Sequence, residues 1–276
     1  MTHTAADKRR EFRRLHEAGC FILPNPWDIG SAMLLAHLGF KALASTSAGM
    51  AWSLGRPDGA VALDEVLVHL STLAHATALP LNADFENGFA DEPKGVAANV
   101  ALAVDTGVAG LSIEDYSGRP ETGLYEFALA VERLAAAREA IDRSGSGVVL
   151  TARSEGFIRG RPDLDETIRR LNAFAEAGAD CLYAPGLRQE EQIRAVVEAV
   201  APKPVNILNP GLPVATLAGL GVRRISVGGA LAGAAFGEFL RAAREMAGEG
   251  TFTALARGAS GRELNPIFAA AQEAPT

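Results

Sequence analysis

At Gly39, Gly107, Gly178 and Gly221 this chain makes the same move: an amphipathic helical stretch stops at a glycine, and a short apolar run begins within a few residues. A glycine just past a helix supplies the left-handed residue that ends it. A strand that must wait for a helix re-enters the sheet in the same direction, so repeated strand–helix–strand units give a parallel sheet. Eight such apolar runs, over residues 21–24, 42–46, 79–84, 110–113, 148–152, 181–183, 205–208 and 225–227, alternate with helical patterns. The clearest helix is predicted over 163–177, where Leu164, Ile168, Leu171, Phe174 and Ala175 recur at helical spacing. Asp163 and Glu166 form a capping-box pattern at its start, and Gly178 is its stop.

Eight units close naturally into a (β/α)8 (TIM) barrel, an α/β fold whose usual size is about 250 residues; this chain has 276. The other parallel architecture, a doubly wound nucleotide-binding sheet, lacks its Gly-x-Gly-x-x-Gly after the first strand. No linker or composition shift divides the chain, so residues 1–276 read as a single barrel domain with 230–276 as a C-terminal helical extension. In that extension Phe236, Phe239, Leu240, Phe252, Leu255 and Phe268 are an apolar surplus suited to a neighbouring subunit. The plainer alternative is a helix covering the barrel's own end.

An apolar share of 48% and a mean hydropathy of +0.11 supply ample core. The net charge of −7 argues against nucleic acid, whose phosphates call for a basic face. No apolar run approaches the length of a membrane span. The first residues, with Asp7, Lys8, Arg9, Arg10 and Glu11, read as a charged helix rather than a signal peptide. Cys20 and Cys181 have neither metal-ligand spacing nor a disulfide pattern, which makes a reducing cytoplasm the simplest compartment.

In a barrel of this kind the residues just past the C-terminal strand ends converge on one mouth. Here those positions carry Asn25 and Trp27-Asp28, then Ser45 to Gly49, Asp84 and Glu86, Glu114 and Asp115, Arg153 and Glu155, and Asn209, with Asp58 on the loop after the second strand. Carboxylates gathered at one point repel unless a cation sits between them, and a hard divalent ion such as Mg²⁺ prefers oxygen ligands. A metal-assisted enzyme is the leading expectation. Each acid also has a plainer reading: Asp115 and Glu155 as helix caps or solvated turns, Asp28 as the cap of a helix over 29–37, Arg153 as a counter-charge for Glu114 or Glu155. Asp84 and Glu114 both end strongly apolar strands, which sets them apart. The five histidines show no i, i+4 pair and read as surface or helix-packing residues.

The ordered motifs Ser45-Thr46-Ser47-Ala48-Gly49, Ser53-Leu54-Gly55-Arg56-Pro57-Asp58, Asn82-Ala83-Asp84 with Gly88-Phe89, Ile113-Glu114-Asp115, Thr151-Ala152-Arg153 and Ala175 to Asp180 resemble the isocitrate lyase/phosphoenolpyruvate mutase superfamily, from about Pro24 to Gly229. The resemblance implies a (β/α)8 barrel that binds Mg²⁺, with Mn²⁺ as the alternative ion, together with a small 2-oxo or 2-hydroxy carboxylate. It also implies a homotetramer built through a swapped C-terminal helix. By position, Asp58, Asp84 and Glu114 match the metal-site acids, and Glu86 is a further candidate ligand. Ser45, Arg153 and Asn209 match substrate contacts, with Trp27 as another candidate. The N–H groups of Thr46 and Ser47 match donors to a developing enolate oxygen.

Three departures from the family pattern bear on chemistry. Its Asp-x-Asp reads Asn82-Ala83-Asp84 here, which removes one carboxylate that Glu86 is positioned to replace. The lyases' Lys-x-Cys-Gly-His loop, whose cysteine protonates the enolate, reads Ser117-Gly118-Arg119-Pro120-Glu121-Thr122-Gly123. Tyr116, Glu121 or water is then left to donate the proton, Arg119 to hold a phosphoryl group, and Gly118 and Gly123 to let the loop close as a lid. Where many lyases carry a glutamate after the sixth strand, this chain has Ala184-Pro185-Gly186. The resulting expectation is a carbon–carbon lyase of small di- or tricarboxylates, like 2-methylisocitrate lyase or an oxaloacetate decarboxylase. A P–C bond enzyme and a 2-oxo acid binder of little turnover are the alternatives.

Overall fold

The computed structural model describes residues 3–273. Its eight strands are β1 (Phe21–Leu23), β2 (Leu43–Ala44), β3 (Leu81–Asp84), β4 (Gly110–Glu114), β5 (Val149–Arg153), β6 (Cys181–Tyr183), β7 (Val205–Leu208) and β8 (Arg224–Ser226). All ladders are parallel, in the order β1-β8-β7-β6-β5-β4-β3-β2. The remaining seam closes where the Ala44 N–H donates to the Pro24 carbonyl at 3.0 Å. The predicted (β/α)8 barrel is therefore the fold. Its registers set polar side chains side by side at the strand ends: Glu114 lies opposite Arg153, and Asp84 opposite Ser112.

Helices α1 (Ala5–Leu15), α2 (Ile29–His37), α3 (Ser47–Ser53), α4 (Leu63–Ala76), α5 (Pro93–Asp105), α6 (Phe127–Ser144), α7 (Leu164–Glu176), α8 (Glu190–Ala199) and α9 (Val214–Gly219) precede β8. Outward-facing strand residues such as Leu81, Leu111, Leu150, Leu182, Ile207 and Ile225 pack against the buried stripes of these helices as one core. Helix α7 begins as its sequence predicts, with the Asp163 carboxylate accepting from the Glu166 N–H at 3.0 Å. The reciprocal half of the capping box is absent. Glu166 reaches forward to Arg169 and Arg170 instead, because two guanidiniums outcompete one peptide N–H for a carboxylate. Asp28 does cap α2, accepting from the Ser31 N–H at 2.7 Å. Helix α3 has no counterpart in the sequence pattern: β2 ends early, and Thr46 turns the chain by accepting from the Gly49 N–H.

The charged first helix plugs the barrel from below. Phe12 is fully buried among Leu23, Ala42, Ala44, Ala109 and Val149. A side chain at Gly110 would meet its ring at 2.5 Å, so this strand must start with glycine. The cations of α1 are not solvated decoration. Lys8 donates to the carbonyls of Ala74 and Thr77 at 2.7 and 2.6 Å, at the end of α4. Arg9 donates to Val104 and Val108, at and just beyond the end of α5. Both serve helix ends whose last carbonyls lack partners and carry negative dipole charge.

Past β8 the chain runs into α10 (Ala230–Glu249), a 3₁₀ turn (Thr253–Arg257) and α11 (Gly261–Glu273), which packs on α2. Only Ala232 and Ala242 of α10 are buried, and Leu231, Phe239 and Leu240 face outward in the isolated chain. No helix of the described residues is long and apolar enough to cross a membrane.

Candidate active site

A cavity of about 430 Å³ opens at the C-terminal ends of the strands. Its depth follows strand alternation, because residues two apart point the same way. On β3 and its continuation Asn82, Asp84 and Glu86 all line it, so Asn82 lies a layer below the two acids. Asp84 and Glu86 thus stand on the cavity wall, while Asn82 serves the floor, its side-chain oxygen 3.5 Å from Arg224. Glu86 sits at φ +45°, a left-handed conformation that costs a non-glycine residue about 1 kcal/mol or more. Its carbonyl accepts from the Glu114 N–H at 2.9 Å, which ties the two acid-bearing loops together.

Five carboxylates line the cavity, Asp58, Asp84, Glu86, Glu114 and Glu155, against three guanidiniums, Arg153, Arg159 and Arg224. Arg153 is the hub. It reaches Asp84 at 2.7 Å, Glu114 at 3.0 Å and Glu155 at 2.9 Å, and its guanidinium also faces the Tyr183 ring. The counter-charge reading of Arg153 is therefore met three times over. Asp84's second oxygen accepts from the Ser47 N–H at 3.0 Å, and the Ser45 hydroxyl accepts from the Asp84 N–H at 2.8 Å. Burial pushes Glu86 up to about 7, with the neighbouring charges of Asp84 and Asp58 adding to the rise. Glu114 also titrates well above the usual carboxylate range, chiefly through burial and then Glu155, with Arg153 opposing.

The donor set is all oxygen, sets five carboxyl groups against three guanidiniums and includes carboxylates that are hard to ionise beside their neighbours. That suits one hard divalent ion. Among the described residues no three His, Cys, Asp or Glu side chains already converge as ligands. An ion here would take one or two carboxylates from Asp58, Asp84, Glu86 and Glu114 and complete its shell with water and substrate, which is how Mg²⁺ is usually held.

Ser45, Thr46, Ser47, Asp58, Glu114, Tyr116 and Arg153 all line the cavity, as the sequence indicates. Trp27, Asn209 and Glu121 lie off its lining. Trp27 packs its Cβ against Gly49, Asn209 is exposed and accepts from the Gly211 N–H, and Glu121 is exposed on the loop after β4. That loop is closed on itself, with the Ser117 N–H on the Gly123 carbonyl, and is pinned to the loop after β3 by Arg119 on Asp91. Arg119 thus points to Asp91 rather than to a phosphoryl group. Asp115 and Glu155 are not solvated caps either. Both are buried, and Asp115 accepts from the Glu155 N–H at 2.8 Å and from Arg170 at 3.2 Å. Burial raises Asp115 to about 6 against these two hydrogen bonds.

Sequence reasoning passes over Arg159, Tyr183, Asn206 and Arg224 on the lining. A signal for Arg224 is present: in Arg224-Ile225-Ser226 the isoleucine faces the helices, so its two polar neighbours must face the barrel interior. There Arg224 bonds only neutral partners, Asn206, Thr151, His16 and Asn82.

Residues 12–247 match the phosphoenolpyruvate phosphomutase family. The chain belongs to that family. The family lies within the isocitrate lyase/phosphoenolpyruvate mutase superfamily, and the protein is one of its lyase and mutase enzymes. The 2-methylisocitrate lyase of Halalkalibacterium halodurans is 30% identical over 220 residues, 78% of this chain and 72% of that protein. The oxaloacetate decarboxylase of Pseudomonas fluorescens is 31% identical over 233 residues, 79% of this chain and 77% of that protein. A candidate lyase/mutase of Burkholderia cenocepacia superposes with a TM-score of 0.92 at 50% identity, covering 96% of each chain. A 2,3-dimethylmalate lyase superposes at 0.84 with 26% identity, covering 98% of this chain and 96% of that one. Within the phosphomutase family, then, the matched residues span the barrel and begin at the Phe12 plug.

Proposed function

We propose that this protein is a Mg²⁺-dependent carbon–carbon lyase acting on a small 2-oxo or 2-hydroxy di- or tricarboxylate through an enolate. The observation that carries the reading is the excess of two carboxylates over arginines around one cavity at the strand ends. When bound, the cation offsets the negative charge that C–C cleavage leaves on the oxygen next to the carboxylate. Asp84 and Glu86, with Asp58 and Glu114 beside them, are the groups to hold it; Mn²⁺ fits the same donors. Arg153 is the carboxylate clamp, a planar fork suited to bidentate contact once Asp84 and Glu114 turn to the ion. Ser45 and the Thr46 and Ser47 N–H groups form the wall facing the developing enolate oxygen. Tyr116, on the lining where Glu121 is not, is the residue to return the proton to the product.

The family match itself favours a second reading, P–C bond chemistry on a phosphonopyruvate-like substrate. In either case the partner is a small carboxylate rather than nucleic acid or membrane, the compartment cytoplasmic, and the assembly a homotetramer joined through the exposed face of α10. Purified protein is to be screened with Mg²⁺ against 2-methylisocitrate, isocitrate, oxaloacetate and phosphonopyruvate, following 2-oxo acid, CO₂ and phosphate separately. Cleavage abolished by EDTA and by Asp84→Ala supports the lyase. Phosphate release moves the assignment to P–C chemistry. Silence on all four with tight 2-oxo acid binding leaves a binder.

A further inference from the structure

Arg153 and Arg159 both face the acid pair Glu114 and Glu155, from different oxygens. Arg153 takes Oε2 of Glu114 and Oε1 of Glu155. Arg159 faces Oε1 of Glu114 and Oε2 of Glu155, each at 3.6 Å. Both of these longer separations exceed hydrogen-bond length. Glu155 Oε2, though buried, consequently has no hydrogen-bond partner. Arg159 is held differently from Arg153: its guanidinium lies 3.8 Å from the centroid of the Tyr116 ring, a stacking contact that fixes the plane of the fork while leaving its edges free. Its side chain is 40% exposed against 14% for Arg153, so it stands at the mouth while Arg153 stands inside.

The backbone supports this placement. The loop that carries Arg159 rests on the turn after β6, where a Cβ at Gly186 would meet the Ile158 nitrogen at 2.8 Å and the Phe157 carbonyl carbon at 3.0 Å. Gly186 also has φ +95°, so any side chain there is both strained and in collision. The Ala184-Pro185-Gly186 turn thus makes room for the loop after β5 and brings Arg159 over the cavity.

We propose that Arg159 is the specificity-determining residue that holds a second anionic group on the substrate, distal to the carboxylate held by Arg153. A cation with unused donors, flat against an aromatic ring at the mouth, is arranged to meet an anion arriving from solvent. A carboxylate and a phosphonyl group are the two sources of that charge. This rests on the proposed reading of the site and adds the residue that selects for the substrate's second charge over monocarboxylates.

The test is calorimetric binding, with Mg²⁺ present, of pyruvate, 2-oxoglutarate and phosphonopyruvate, which share a 2-oxo acid head and differ in the distal group. Wild-type protein is expected to bind at least one dianion about tenfold or more tighter than pyruvate, the ordinary worth of a charged hydrogen bond. Arg159→Gln is expected to erase that ratio with pyruvate affinity little changed, Arg159→Lys to restore part of it, and Gly186→Ala to reduce it by displacing the loop. Whichever dianion loses more identifies the distal group. A purely structural Arg159 would lower the melting temperature or weaken all ligands alike, and a Kd ratio unchanged in Arg159→Gln overturns the proposal. Equal wild-type affinity for pyruvate and both dianions overturns it while leaving the functional reading standing. Wild-type protein that binds none of the three overturns both.

Discussion

Arg153→Gln is the perturbation that tests how this mouth is held together. In the wild type one guanidinium neutralises parts of Asp84, Glu114 and Glu155, whose side chains are 19%, 6% and 0% exposed. Glutamine keeps the polarity and much of the volume but strands those carboxylates. Removing one partner of a buried ion pair costs about 3–5 kcal/mol. At about 2 °C per kcal/mol for a chain of this size, the metal-free variant is expected to melt roughly 6–10 °C lower. Mg²⁺ should then recover much of the loss. In the wild type the ion must displace Arg153 from Asp84 and Glu114, whereas in the variant it meets bare carboxylates. At about 100 times its Kd an ion adds about 2.7 kcal/mol to either protein, and the tighter site reaches that ratio at lower Mg²⁺. Acid should help as well, because a raised carboxylate pKa means extra protons bound by the folded state and stability gained as pH falls. The assay is thermal unfolding of both proteins in EDTA and across a Mg²⁺ series. A metal-free variant within roughly 1 °C of wild type, or an identical Mg²⁺ response in the two proteins, would refute the placement of Arg153 as the internal counter-ion.

Two further outcomes are expected. Glu86, raised to about 7, is largely protonated below that pH without metal, so proton and ion compete and wild-type Mg²⁺ affinity should climb with pH and level off above about 7. Glu86→Gln should weaken Mg²⁺ binding and flatten that climb in calorimetric titrations; unchanged affinity would remove Glu86 from the site. At the other end of the barrel, His16 donates from Nδ1 to the Phe12 carbonyl and accepts on Nε2 from Arg224. Burial, with the Arg224 charge adding to it, lowers its pKa to about 3. The unfolded chain takes a proton on His16 near its ordinary value while the folded one does not, so stability falls as pH drops below about 6.5, by about 2 kcal/mol at pH 5. His16→Gln should lose less stability than wild type between about pH 7 and pH 5 in urea unfolding, and equal losses would sink the assignment.

The barrel is legible in the sequence because its determinants are local. Apolar runs bounded by glycines fix strands, and Gly39, Gly107, Gly178 and Gly221 all take left-handed φ at the predicted helix ends. The mouth is legible only in part, because its partners come from distant elements. Asp115 looks like a cap until α7 brings Arg170 beneath it, and Glu155 looks solvated until β5 lays Arg153 across it. Helix α3 is hidden by a run of small residues whose pattern has no apolar period, and it forms because Thr46 caps it at the end of β2. Asn82 reads as a lost ligand only while the acid pair is counted from that residue; the lining of the mouth holds Asp84, at the end of β3, and Glu86, in the left-handed turn just beyond it. Asn209 sits one residue past the end of β7, where the chain has left the wall, and Asn206 within the strand takes its place on the lining.

The charge arrangement also constrains the order of events at the site. Glu114 and Arg153 are cross-strand partners on β4 and β5, so the sheet register itself brings the acid and the guanidinium together. Asp84 is likewise fixed at both oxygens, by Arg153 and by the Ser47 N–H. The guanidinium proposed to grip a substrate carboxylate is occupied in this structure by protein carboxylates. On the proposed reading a cation held by Asp84 and Glu114 would compete with Arg153 for those carboxylates and leave two of its donors for a substrate. Metal and carboxylate ligand would then be coupled through one side chain, and such a coupling is reciprocal: whatever the ion adds to substrate affinity, the substrate adds to ion affinity. On that reading, sheet register, a buried arginine and two surplus carboxylates would let the two ligands cooperate through side chains alone, with the barrel unmoved.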